Sequence, residues 1–395
     1  MARPKIWKEP PDYSRSGEAT HAGLRSCFRD TRIFIGEGVN TVKQASDREL
    51  VNSLKVINGP PQPKGRVVFS MMKDESFFVE AFFEHYRNLN ADAFLVFDDG
   101  STDGTLEFLL DQPDTTVLSS SFGYGEIYKR RGALPWRGDT MRAGIRLKGL
   151  IPTVFLFEQW CIYADADEFL ILPDCMEELR ECTRLLDRGG VRVVLASLVE
   201  FYPEKFRDLR KGVTKVTSFG ELIRISQYFD AVPLLRIDSS GSIERLNRSA
   251  SGRLFAKYGI PFGSKLEVHS KSELRASGGK AKLAIGSATH KLPLIKAGGK
   301  VRLLGSHRAS VNPSSEITLA LAHFKFTPDV LRRTETAIAT KAWSQGSAKY
   351  SNYKHLFDLM ERSDGSFLCG ESRRYEEPRQ MEECGNLWWG ALSDR

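Results

Sequence analysis

The stretch from Arg66 to Thr105 constrains the fold more than any other part of this chain. Arg66-Val-Val-Phe-Ser-Met-Met is short and almost wholly apolar, the pattern of a strand buried on both faces. From Ser76 to Leu89 apolar residues recur at Phe78, Phe82 and Tyr86 and at Val79, Phe83 and Leu89, the spacing of an amphipathic helix. Ala93-Phe-Leu-Val-Phe is a second buried run that stops at Asp98-Asp-Gly-Ser, and Asp103 stands where it can cap a second helix. Strand, helix, strand, helix implies parallel pairing, because each return needs a crossover. The expectation is an α/β fold with a mixed, mainly parallel sheet flanked by helices.

The pattern continues. A third strand is expected near Thr116-Val-Leu, then a Gly-, Tyr- and Arg-rich loop from Ser120 to Asp139 and a basic helix from Thr140 to Lys148. Trp160-Cys-Ile-Tyr-Ala reads as the next strand, with Asp165-Ala-Asp-Glu-Phe at its carboxyl end, where open α/β sheets bind ligands. Met176 to Leu186 reads as a helix, and a long strand starts at Val191. Short strand signals follow at Glu221 to Ile225 and Val232 to Ile237. Ile317 to Phe326 and Asp329 to Lys341 close the region.

Turn-rich Asn58-Gly-Pro-Pro-Gln-Pro-Lys-Gly65 suggests a boundary. Residues 1–60 then form an N-terminal extension, 61–345 one domain with halves 61–172 and 173–345, and 346–395 a tail ending in Leu387-Trp-Trp. No run of 18 apolar residues occurs in the 395, and the first residues lack the apolar core of a secretory signal. A cytoplasmic protein is expected, with peripheral contact to the inner face of the membrane left open. Six cysteines, Cys27, Cys161, Cys175, Cys182, Cys369 and Cys384, show no Cys-x-x-Cys spacing, which argues against a zinc site or a disulfide framework.

The net charge of +7 is unevenly placed: Pro203 to Arg308 holds 21 Lys/Arg against 8 Asp/Glu. Such a segment suits an anionic partner. No nucleic acid is expected, because neither an RNA-binding sheet motif nor a Cys/His finger is present.

Two acidic constellations carry the chemistry. Asp98-Asp99-Gly100-Ser101-Thr102-Asp103-Gly104-Thr105 follows a strand, and carboxylates there can accept hydrogen bonds from a nucleobase or a ribose; the same residues also make an ordinary capping turn. Tyr163-Ala-Asp165-Ala-Asp167-Glu168-Phe169 sets three acids among apolar residues, which is costly without a partner. Paired carboxylates offer hard oxygen ligands to Mg²⁺ or Mn²⁺, with a nucleoside diphosphate completing the shell.

Phe-Ser-Met-Met-Lys-Asp-Glu, then Asp-Asp-Gly-Ser-Thr-Asp-Gly-Thr, then Asp-Ala-Asp-Glu-Phe, with the last two about 65 residues apart, resembles the family 2-like glycosyltransferases of the GT-A fold. Tyr228-Phe-Asp, His290-Lys-Leu-Pro-Leu-Ile and Leu321-Ala-His-Phe-Lys-Phe extend the resemblance over residues 66–357. It implies a metal-dependent transfer of a sugar from a nucleoside diphosphate donor to a glycan or other hydroxyl acceptor, in glycan or polysaccharide biosynthesis. It puts Asp74, Glu75, Asp98 and Asp99 around the nucleoside, with Asp99 on the base, and makes Asp167 the principal metal ligand, with Asp165 nearer the ribose or bridging to the metal through water. A C-terminal histidine returns to the metal or diphosphate in such enzymes. His323 is the candidate and His307 the second choice, with Lys325 and Arg308 available to the diphosphate. The family's acidic general-base motif has no clear copy here, which leaves Glu200, Glu221 and Asp230 as candidates. Two alternatives stand beside this reading. One is a non-catalytic glycan or polyanion binder on the same fold. The other is a metal-dependent phosphohydrolase, since Asp-x-Asp after a strand also occurs in haloacid-dehalogenase-type phosphatases; Phe169, where those carry Thr or Val, disfavours it.

Overall fold

The computed structural model describes residues 43–130, 140–260, 288–340 and 348–390. The chain enters through β1 (Lys43–Ala45), a helix at Asp47–Asn52 and β2 (Leu54–Asn58). β3 (Arg66–Met72), β4 (Ala93–Asp98) and β5 (Thr115–Ser120) follow, separated by helices at Val79–Asn88 and Thr105–Leu110. β6 (Ile127–Arg130) pairs with β1 on one side and β7 (Thr140–Arg142) on the other, in a small sheet of their own. After a helix at Ala143–Phe155 come β8 (Trp160–Tyr163), β9 (Glu168–Ile171), a helix at Leu179–Arg188 and the long β10 (Val193–Tyr202).

The rest of the large sheet is built from β11 (Tyr228–Asp230), β14 (His290–Lys296), β17 (Thr318–His323) and β18 (Ser372–Arg374). Two small hairpins lie outside it, β12 (Leu235–Ile237) with β13 (Ile243–Arg245) and β15 (Leu303–Gly305) with β16 (Arg308–Ala309). The order across the large sheet is β18-β11-β10-β14-β8-β3-β4-β5-β2, with β17 also on β10 and β9 on β17. β8, β3, β4 and β5 form a parallel block, β10 and β17 are a second parallel pair, and β14 runs antiparallel between β8 and β10. The architecture is thus α/β with a large mixed sheet around a parallel core.

Period-two alternation explains the layers. Val68, Phe94, Val96 and Ile162 face one side, where Phe82, Phe83 and Tyr86 of helix Val79–Asn88 cover them; Phe83 stacks on Phe94 at 4.2 Å. Val67, Phe69, Leu95, Cys161 and Tyr163 face the other side, against Leu147, Leu150 and Ile151 of helix Ala143–Phe155. Each such side chain contributes roughly 1.5–3 kcal/mol when fully buried. Gly144 at the start of that helix lies under the Tyr124 ring, where an added Cβ would come within 2.1 Å of the ring. A third apolar cluster joins Tyr202 and Phe206 to Leu254, Phe255, Phe326, Tyr353, Phe357 and Phe367.

Several sequence expectations need correction. Helix Val79–Asn88 starts three residues later than expected, after a turn in which the Ser76 amide bonds Asp103. Thr140–Arg142 is strand, and the following helix runs to Phe155. Glu221 to Ile225 is helix within Phe219–Ile225, started by Ser218, whose hydroxyl accepts the Glu221 amide at 3.3 Å. The boundary at 60 does not separate a domain: β2 adds to β5, and Asp47 pairs with Arg146 of helix Ala143–Phe155 at 2.7 Å. Residues 1–42 of the expected extension, with Cys27, lie outside the described residues. Of the expected tail, residues 348–390 pack into the fold. Helix Ala348–Arg362 enters the third cluster, β18 pairs with β11, and Trp388 bridges Thr318.

Candidate functional site: the carboxylate edge of the parallel block

The chain runs β3 to β4 to β5 in one direction and then returns to place β8 on the opposite side of β3. At such a switch point the loops after the two central strands diverge and leave a crevice at the carboxyl edge. Lys73-Asp74-Glu75 follows β3, Asp98 ends β4 with Asp99 next to it, and Asp165-Ala-Asp167-Glu168 comes after β8. The two constellations therefore share one edge.

Some of these acids build the crevice. Asp98 is buried and accepts the amides of Gly100 and Ser101 at 3.0 and 3.1 Å, closing a turn in which Gly100 has φ 76°. Asp74, itself left-handed at φ 54°, accepts the Thr102 amide at 2.7 Å and donates its own amide to Ser101 Oγ at 3.0 Å. Asp103 Oδ2 accepts the Ser76 amide, and Thr105 Oγ1 accepts the Glu75 amide at 2.9 Å. These bonds zip the β3 and β4 loops together. Asp74 and Asp98, expected on the nucleoside, are engaged in the scaffold instead.

Asp99 faces the crevice. Its Oδ1 accepts the Tyr124 amide at 2.7 Å and its Oδ2 lies 3.7 Å from Lys73 Nζ. Burial raises the Asp99 carboxyl above its usual range, against the pull of that amide and of Lys73. Through Tyr124 the site runs on to Lys148, whose ammonium stands 5.4 Å from the Tyr124 ring and 3.6 Å from Asp165 Oδ1. Tyr163 donates its hydroxyl to Asp165 at 2.9 Å, and Lys291, wholly buried, reaches Asp165 at 3.0 Å and also Glu168. Burial alone would raise Asp165, but Lys148 and Lys291 together hold it well below the usual carboxylate range.

Asp167 has different neighbours. Its Oδ2 lies 3.5 Å from His323 Nε2 and accepts Arg333 Nη1 at 2.9 Å. Burial opposes ionisation there too, and His323 and Arg333 overcome it, holding Asp167 well below its ordinary value. Arg333 also bonds Glu75, and its Nε lies 3.0 Å from Asp329 Oδ2. Burial pushes the Glu75 carboxyl up to about 8, with Asp167 and Asp329 adding to the effect and Arg333 opposing it.

The expected metal set of Asp165, Asp167 and His323 is not brought together as three ligands. Among the described residues no group of three or more His, Cys, Asp or Glu side chains is placed to hold a metal ion. Asp165 does not fit the role, because two ammonium groups already hold it. Asp167 and His323 fit better: the hard Oδ2 of Asp167 faces His323 Nε2 across 3.5 Å, while the unpartnered Nδ1 lies on the other edge of the ring. An oxygen and nitrogen pair of this kind suits Mn²⁺ or Mg²⁺ when a diphosphate adds further oxygens.

The other expectations fare unevenly. Lys325 points away from the edge, to Glu200 at 3.2 Å and the Tyr353 ring at 4.9 Å. Glu200 is fully buried, and its oxygens accept the Ser251 amide at 2.6 Å, the Ser251 hydroxyl at 2.8 Å and Lys325. Although burial opposes ionisation, Lys325 holds the Glu200 carboxylate down, a poor state for a general base. Asp230 is tied to Arg253 through both oxygens and accepts the Tyr202 hydroxyl. Glu221 receives the Thr217 amide and hydroxyl near the start of its helix. Glu200 and Asp230 are thus buried and fully engaged, whereas the side chain of Glu221 stays 37% exposed with one oxygen bonded to Thr217. His307 and Arg308 line a cavity of about 280 Å³ with Tyr124, Ile145, Lys148 and Ser306. His307 is exposed, and its Nδ1 is bonded to the His290 carbonyl at 2.7 Å.

The basic segment is largely neutralised by its own fold. Lys205 and Arg207 pair with Asp364, Arg210 with Glu361, Lys211 with Asp208, Lys215 with Glu80 and Arg224 with Glu221. That weakens a polyanion-binding role for its described part; residues 261–287 lie outside the described residues. Arg333, Lys148 and Lys291 were not singled out from the sequence. The available signal for Arg333 was Asp329-x-x-x-Arg333, a charge pair at helical spacing just after His323.

Among the described residues no helix is long and apolar enough to cross a membrane. No protein-family model matches this chain, and no curated protein matches it significantly.

Proposed function

We propose that this chain is a glycosyltransferase of the GT-A type, moving a sugar from a nucleoside diphosphate donor to an acceptor hydroxyl in the cytoplasm. One observation carries the reading: acidic turns after three adjacent parallel strands meet at the switch point of the sheet, and Asp167 faces His323 there across 3.5 Å.

The residues divide the donor between them. Asp99, held by the Tyr124 amide, accepts hydrogen bonds from the nucleobase or ribose. Lys148 and Lys73 supply positive charge on that side of the crevice. Asp167 and His323 hold Mn²⁺ or Mg²⁺, which when bound supplies positive charge to the departing diphosphate. Rate comes from placement and from charge fixed in advance, with no covalent role for the protein.

The test is thermal stabilisation by UDP, GDP, ADP, CDP and dTDP with and without Mn²⁺. A shift that needs both components is expected for at least one nucleotide. Asp167→Ala should remove the metal requirement together with sugar transfer and leave the circular dichroism spectrum unchanged. Normal transfer by that variant would refute the assignment.

A further inference from the structure

Arg333 is the residue that the reading above leaves without a task. Its guanidinium uses three nitrogens on three carboxylates, Nη1 on Asp167, Nη2 on Glu75 and Nε on Asp329, with the Phe78 ring 5.2 Å away. It comes from helix Asp329–Thr340 and so joins that helix to the loops after β3 and β8. The side chain remains 27% exposed.

Resting on the proposal that Asp167 and His323 form the metal position, we propose that Arg333 is a resident cation on Asp167 that a donor diphosphate draws away, so that divalent metal and diphosphate bind cooperatively. A dication approaching Asp167 Oδ2 alone meets a guanidinium already bonded to that oxygen at 2.9 Å and must displace it. A diphosphate alone must take Nη1 and Nη2 of the guanidinium from Asp167 and Glu75 and then faces the Asp167 carboxylate without that guanidinium. Together the two ligands exchange partners: the planar fork of the guanidinium passes to phosphate oxygens, which it fits in two parallel bonds, and the carboxylate passes to the metal. Glu75, released by Arg333, sits in an environment that already favours its neutral form, so it does not remain a stranded anion. Each ligand removes the obstacle to the other, which is reciprocal coupling between two binding free energies.

The experiment measures Mn²⁺ affinity by electron paramagnetic resonance, with and without the nucleoside diphosphate that most stabilises the wild-type chain. In the wild type that nucleotide should tighten Mn²⁺ by about tenfold or more, within the usual range for coupled sites. In Arg333→Gln, Mn²⁺ alone should bind about tenfold more tightly than to the wild type, the nucleotide more weakly, and the coupling should fall close to one. A residue that only holds the fold together would weaken both ligands, so opposite signs separate the two roles. Arg333→Lys keeps the charge but cannot fork between Glu75 and Asp167, and it too should bind Mn²⁺ alone more tightly; it decides the matter if the glutamine variant fails to fold. Unchanged or weaker Mn²⁺ binding with the coupling intact overturns the inference and leaves the donor site standing. Absence of any metal-dependent nucleotide binding in the wild type overturns the site itself, and the inference with it.

Discussion

Two halves of one carboxylate edge are neutralised in different ways. On the β14 side, Asp165 and Glu168 face Lys148 and Lys291, two acids against two ammonium groups. On the side of helix Asp329–Thr340, Glu75, Asp167 and Asp329 share Arg332 and Arg333, three acids against two guanidiniums. The first half is balanced by its ammonium groups, and the second has one acid more than its guanidiniums, with the His323 imidazole 3.5 Å from Asp167. Excess negative charge inside a partly buried site either takes up a proton or recruits a cation. The raised carboxyl of Glu75 expresses the first outcome, and the proposed metal at Asp167 would express the second.

The sharpest way to break this contrast is to neutralise one acid in each half. Asp167→Asn should eliminate the metal-dependent nucleotide shift, whereas Asp165→Asn should retain it with altered affinity. Equal loss in both, read by the same thermal assay, would mean that the halves are not distinct. Lys291→Met comes next. It leaves Asp165 and Glu168 beside an apolar group where a buried ammonium stood, and the chain should lose about 3–5 kcal/mol in urea unfolding.

A smaller effect separates the halves by pH. The folded chain holds on the Glu75 carboxyl a proton that the unfolded chain releases above 4.5, since burial raises that group to about 8. The stability so contributed is complete below about 4.5 and is lost as pH rises through about 8. Glu75→Gln should flatten that decline in denaturant titrations across the interval. Asp165 works in the opposite sense: burial opposes its charge, but the two lysines depress its carboxyl, so its contribution is present above the ordinary carboxylate range and lost on acidification. Last, Lys215→Ala removes an exposed pair with Glu80 at 2.7 Å and should cost less than about 1 kcal/mol. A larger loss in thermal unfolding would show that the basic segment is more than a solvated, self-paired surface.

The parallel block was legible because its signals are local. An apolar run followed by Asp-Asp-Gly or Asp-Ala-Asp marks both the strand and its carboxyl end, and parallel pairing carries those ends to one edge. The cations were not legible. Lys148, Lys291 and Arg333 meet Asp165 and Asp167 across separations set by the tertiary fold, and no spacing along the chain records them. Glu200 and Asp230 looked like free acids for the same reason, since Lys325, Ser251 and Arg253 sit at other positions of the chain. Glu-Leu-Ile-Arg-Ile misled by its two β-branched isoleucines, which suit a strand, while the better cue was Ser218 three residues before Glu221. The outer boundaries failed because a turn rich in Gly and Pro marks a bend, and β2 bends back onto the sheet it seemed to precede.

Strand order also bears on how the chain folds as it leaves the ribosome. Residues 66–163 supply β3, β4, β5 and β8, so the parallel block can form from a continuous stretch early in synthesis. β10 emerges soon afterwards, yet β14, which lies between β8 and β10, comes only with His290–Lys296. Until then the centre of the nascent sheet has an open slot with an unpaired strand edge on each side, a template for contacts with other chains. A translation pause before His290 would prolong that exposed state, and completion of β14 would end it.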